Sequence, residues 1–161
     1  MRRVRAGWQV LLLLLVLVAN AGPEPSLSLS AEDERQLAPR MGDFYGPEGE
    51  QRFYAWRSLI REQRGKPEAS RLEAVNRFFN QQLFVDDPVL WQQPDFWASP
   101  LEFIGAGGGD CEDFAIAKFF TLLELGISAD KLRITYVKAL KLNQFHMVLA
   151  YYPRPDAEPL I

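Results

Sequence analysis

The segment from Phe114 to Leu125 constrains this chain most: it is apolar on nearly every side, with Lys118, Thr121 and Glu124 as the exceptions. A helix hydrophobic all round belongs in the middle of a domain, so the remaining elements must wrap around it. Gly126 is placed to stop it. Ahead of it, Ile104-Gly105-Ala106-Gly107-Gly108-Gly109 reads as a flexible hinge that delivers the chain to Asp110. Two earlier helices are predicted from period. Phe53, Trp56, Leu59 and Ile60 recur between about Glu48 and Arg64, before Gly65-Lys66-Pro67. Leu72, Val75, Phe78, Phe79 and Leu83 recur until Asp86-Asp87-Pro88. The aromatic, Pro-punctuated stretch Trp91 to Phe103 reads as an ordered loop with short helical turns. Within it Trp97 is expected to pack on the central helix, along which Lys118 lays its stem. Leu132 to Val137 alternates with period two, Lys141-Leu142-Asn143-Gln144 makes a turn, and Phe145 to Tyr152 forms the hairpin partner. Leu160-Ile161 has the character of the first step of a third strand.

Composition supports one domain: 161 residues, 48% of them hydrophobic, suffice for a single core. Residues 1–21 are expected to be removed. Arg2, Arg3 and Arg5 precede an apolar run from Trp8 to Val18, and Ala19-Asn20-Ala21 forms a small-x-small cleavage signal. That run is shorter than the ~20 residues of a membrane-spanning helix, so export without a stable anchor is expected, an uncleaved anchor being the alternative. Residues 22–47 form an N-terminal lead, Pro/Ser-rich from Gly22 to Ser30, and 48–161 the domain. Without the first 21 residues Lys+Arg falls from 18 to 15 against 21 acids, a net charge near −6. Such a balance argues against nucleic acid as a partner.

An exported protein ordinarily pairs its cysteines, yet Cys111 stands alone. It is either buried and inert or retained for its reactivity. Its place favours reactivity: a thiol at a helix N-terminus meets unpaired N–H groups and the positive end of the helix dipole, which favour the thiolate. The glycines before it admit close approach of a substrate backbone, and first-turn N–H groups suit an oxyanion. The only histidine, His146, lies on a strand 35 residues later. A cysteine nucleophile needs such an imidazole to take its proton and to protonate the leaving group. Around the thiol, Asp110, Glu112 and Asp113 fit ordinary capping of the helix, with early acids complementing its dipole. Three carboxylates also oppose ionisation of the thiol, a penalty that a hard cation would cancel. One Cys and one His cannot build an ordinary zinc site.

Gly108-Gly109-Asp110-Cys111-Glu112-Asp113-Phe114-Ala115-Ile116-Ala117-Lys118, with Leu132 to Lys138 and His146 to Tyr151, resembles the bacterial transglutaminase-like cysteine proteinases. The resemblance is specific from Trp91 to Tyr152. It implies an α+β, papain/transglutaminase-like core, with the cysteine helix packed on an antiparallel sheet, Cys111 as nucleophile and His146 as base. It also implies calcium dependence with ligands at Asp110 and Glu112, Asp95 and Asp113 being further candidates. The implied setting is the periplasm, the substrate a large surface adhesin cut near its N-terminus at a di-alanine site, releasing biofilm. The implied regulator is an inner-membrane cyclic-di-GMP receptor. The family's orienting Asp follows on the next strand, in a segment resembling leucine-aspartate-asparagine-leucine, which would begin where this chain stops at Ile161. Asp156 and Glu158 are poor substitutes, so the sequence is expected to be truncated and weak in catalysis without that residue. Acyl transfer to an amine uses the same pair and is the alternative within enzymes; a catalytically silent calcium-dependent binding module is the alternative outside them.

Overall fold

A capping box opens the first helix in the computed structural model, which describes residues 28–141 and 143–161. The export segment expected over residues 1–21 lies outside these residues. Helix α1 (Ala31–Gln63) starts where the Ser30 hydroxyl accepts the Asp33 N–H at 3.1 Å and the Asp33 carboxylate accepts the Ser30 N–H at 2.9 Å. Residues 31–45, expected in the lead, are thus helical, and they bury Ala38 and Met41. The helical course breaks at Gly46 (φ 75°, ψ 175°), and Pro47 restarts it, a proline being pre-set for a first helical turn. The second half carries Phe53, Trp56 and Ile60 into the core.

Helix α2 (Glu68–Phe79) adds Val75 and Phe79. Strand β1 (Leu83–Phe84) is followed by the short α3 (Asp87–Leu90), and α4 (Pro100–Ala106) begins on a second capping box between Ser99 and Glu102. Strand β2 (Gly108–Gly109) pairs in parallel with β1. The glycine run is therefore no flexible hinge. Gly107 closes α4 in the left-handed conformation (φ 79°), and Gly108 and Gly109 are buried. A Cβ on Gly109 would stand 2.4 Å from a carboxylate oxygen of Asp113, so only glycine lets the chain pass there.

Helix α5 (Cys111–Glu124) occupies the centre, as its apolar surface requires. Trp56 Nε1 of α1 donates to Thr121 Oγ1 at 2.9 Å, a buried tie between the two helices. Strands β3 (Leu132–Ala139) and β4 (Gln144–Tyr151) form the expected antiparallel hairpin, with Leu132 opposite Tyr151 and Val137 opposite His146. Leu160 bridges the free edge of β4 at Tyr151, each N–H donating to the other residue's carbonyl at 2.8 and 2.9 Å. The architecture is α+β, helices first, with α5 against the hairpin. Among the described residues no helix is long and apolar enough to cross a membrane.

Candidate active site

Cys111 is the first residue of α5, half-buried, and positioned by the rigid Gly107–Gly109 passage behind it. The packing of β4 on α5 brings the backbone N–H of Met147 to the Cys111 thiol. Met147 directly follows His146, and Cys111 and His146 line one open cleft of 340 Å³ together with Phe84, Phe114 and Lys118. The cysteine and the histidine, 35 residues apart in sequence, thus line one solvent-reached surface.

The thiol itself is not activated by its place on the helix. Burial pushes it up to about 11, and Glu112, whose carboxylate accepts the thiol hydrogen at 3.1 Å, pushes the same way, as does the charge of Asp110. Only the Met147 N–H opposes them. The expectation that the helix N-terminus favours a thiolate is corrected here: desolvation and two carboxylates outweigh the dipole.

Asp110 and Glu112 come together as expected, with Cys111, their ligand-type atoms within 4.8 Å of one another. Asp113 groups equally closely with Asp110 and Asp87, and Asp95 with Glu112 and Asp87. Asp113 is wholly buried and holds the backbone: its carboxylate accepts the Ala98 N–H at 2.7 Å and the Asp110 N–H at 3.4 Å. The capping expected of Asp110 thus falls partly to Asp113. Asp87 is the residue that the sequence did not single out. It is 2% exposed, one oxygen accepts the Phe96 N–H at 2.5 Å, and the other is buried without a partner. Asp110 has a similarly orphaned buried oxygen. Burial pushes the Asp110 carboxyl up to about 7, reinforced by Glu112, Asp87 and Asp113.

Orphaned buried carboxylate oxygens, held close together beside a carboxyl that resists ionisation, fit a hard divalent cation such as Ca²⁺. Asp87, Asp110 and Glu112 would hold it, with Asp95 at the exposed side; Asp113 spends its oxygens on the backbone. Two minor expectations also resolve. Trp97 stands 56% exposed, lining one pocket with Ile116 and Phe120 of α5, its indole N–H donating to Asp95 at 3.1 Å. Asp156 lies in an exposed turn, paired with Arg154 at 3.6 Å, and Glu158 is exposed.

A single thiol opening the central helix, beside an imidazole-bearing antiparallel strand, is the arrangement of a papain/transglutaminase-like cysteine peptidase. The chain belongs to the bacterial transglutaminase-like cysteine proteinases (BTLCP), whose family model matches residues 56–153. Among solved structures it is similar to LapG of Legionella pneumophila, at 50% identity and a TM-score of 0.72, over 83% of this chain. The EGTA-treated and calcium-bound forms of that protein are covered over 69% and 71% of their lengths, and a further structure of it over 70%. No curated protein sequence matches the chain.

Proposed function

We propose that this chain is a calcium-dependent cysteine endopeptidase, exported to the periplasm, that cuts the N-terminal region of a large surface adhesin and so releases biofilm. The observation that carries the chemistry is the contact of Cys111 with the β4 backbone at Met147, which puts the sole thiol beside the strand bearing the sole histidine. The periplasmic setting rests on the export signal at residues 1–21. The adhesin and the inner-membrane cyclic-di-GMP receptor as regulator rest on the family resemblance.

In this reading Cys111 Sγ attacks the scissile carbonyl while His146 takes the thiol proton. First-turn N–H groups of α5, ahead of the first helical bond from Phe114 to Asp110, receive the oxyanion. His146 then protonates the leaving amine, and a thioester remains on Cys111. Water, deprotonated by His146, hydrolyses the thioester and restores the thiol. A bound calcium ion supplies positive charge that offsets the carboxylates around the thiol. Asp113 keeps Ala98 and Asp110 in place through its backbone contacts.

The test is cleavage of an adhesin N-terminal fragment by the protein purified from its own cells, in calcium and in EGTA. Cys111→Ala and His146→Ala are each expected to lower the rate by on the order of 10³-fold or more, their losses not adding in the double variant. Undiminished cutting by Cys111→Ala refutes the peptidase reading. Incorporation of an added amine in preference to water would turn the assignment to acyl transfer.

A further inference from the structure

Lys118 follows Cys111 by seven residues on α5, so the two side chains leave the same face, about 10.5 Å apart along the helix axis. Both line the cleft shared with His146. The ammonium is held in place: Nζ donates to Asn76 Oδ1 and Asn80 Oδ1 of the α2 end, each at 2.7 Å, and lies 5.8 Å from the centre of the Phe114 ring. These partners are neutral. Among the described residues Lys118 forms no ion pair, and Glu73, which lines the adjoining pocket, is paired with Arg77 at 3.0 Å. An ammonium has three donors, and two are used.

A tie between α2 and α5 explains the two hydrogen bonds but not the choice of a cation. Burial lowers the pKa of Lys118, so the charge is carried against a desolvation penalty that two neutral amide oxygens and the Phe114 ring offset, with no carboxylate paired to it among the described residues. Beyond Lys118 the wall turns apolar, through Leu72, Leu122 and Leu149 around a pocket of 290 Å³, which strengthens any charge contact made at its edge. An extended peptide seated with its scissile bond at Cys111 advances about 3.3 Å per residue, so about three residues cover the distance to Lys118.

We propose that Lys118 is a specificity-determining residue that binds the carboxylate of an acidic substrate side chain about three residues from the scissile bond. The proposal rests on the peptidase reading of this cleft and adds a substrate class to it. The test separates the two. Binding is measured on the full chain carrying Cys111→Ala, using peptides with a di-alanine core and Glu, Gln or Lys at each of the four positions on either side. One position three residues or so from the core should favour Glu over Gln by about 10-fold, the worth of one charge-assisted contact. Adding Lys118→Met should level Glu and Gln there, and Lys118→Glu should favour Lys. If circular dichroism shows Lys118→Met unfolded, Lys118→Gln serves in its place with the same expected levelling. Absence of any Glu over Gln preference, including absence of binding, overturns the proposal, as does a preference that survives loss of the lysine charge. Cleavage by the unaltered protein is scored separately: peptides bound with the expected preference but never cut refute the peptidase reading alone. Where they are cut, replacing Glu by Gln should raise KM with kcat unchanged.

Discussion

At its C-terminal end α5 presents Glu124, 5% exposed, to Arg57, 1% exposed, through two hydrogen bonds of 2.6 and 2.7 Å. Glu34 takes the remaining side of the same guanidinium at 2.8 Å. At its N-terminal end the helix gathers Asp110, Glu112 and Asp113 with Asp87, and two of their buried oxygens have no partner among the described residues. One helix thus buries carboxylates at both ends and supplies the cation at only one. Where the chain supplies its own guanidinium the region is architecture, pinning α1 to α5. Where it does not, buried carboxylate oxygens are left that a bound cation would complete.

The largest expected effect breaks the completed end. Arg57→Ala leaves Glu124 and Glu34 without their partner and should cost about 3–5 kcal/mol, on the order of 10 °C in Tm for a chain of this size. The loss should be the same in calcium and in EGTA. A thermal melt showing less than about 1 kcal/mol of loss would mean that Arg57 and Glu124 are not the buried pair that the comparison requires.

Next comes completion of the other end. Calcium at about 100 times its Kd should stabilise the protein by about 2.7 kcal/mol over the EGTA form. Asp87→Asn and Asp110→Asn should each remove most of that increment, whereas Arg57→Ala should keep it. The thiol reports the same event: at pH 8 a Cys111 that titrates near 11 alkylates slowly, and calcium should accelerate its reaction with iodoacetamide about tenfold per unit of downward shift. Melts and alkylation rates indifferent to calcium would leave the acidic cluster without a cation.

The smallest effect sharpens the comparison through pH. In EGTA the raised pKa of Asp110 means that the folded protein holds a proton which the unfolded chain has lost. The stability tied to that group is fully present below 3.8 and is lost as pH rises towards about 7. Asp110→Asn should therefore melt a few degrees higher than the unaltered protein at pH 7.5 in EGTA, and the gap should close by about pH 4. An equal gap at both pH values would assign the difference to packing instead of charge.

Local pattern was enough for much of this molecule. The central helix, the α2 helix and the β3–β4 hairpin were legible because amphipathic period and turn residues act within a few positions. Cys111 and His146 stood out by being the only residues of their kind, and Asp110 and Glu112 by flanking the thiol. The first half of α1 was not legible, since its polar residues and Pro39 obscured a helix that Ala38 and Met41 anchor from the far side of the core. Nothing local separates Asp87 from Asp86. Asp87 enters the carboxylate cluster only because α3 turns it inward against a loop and a helix some 23 residues ahead.

The sequence by itself determined the fold class, the nucleophile and base candidates, and the excess of acid around the thiol, because each depends on residue identity and short-range spacing. Tertiary structure alone decided three things: that the glycine run is a buried strand pair, that Asp87 joins the carboxylates, and that the thiol is pushed up to about 11. The physical reason is common to all three. Burial and charge–charge distance are properties of segments brought together across the chain, and desolvation at such a meeting point outweighs the local preferences of glycine or of a helix terminus.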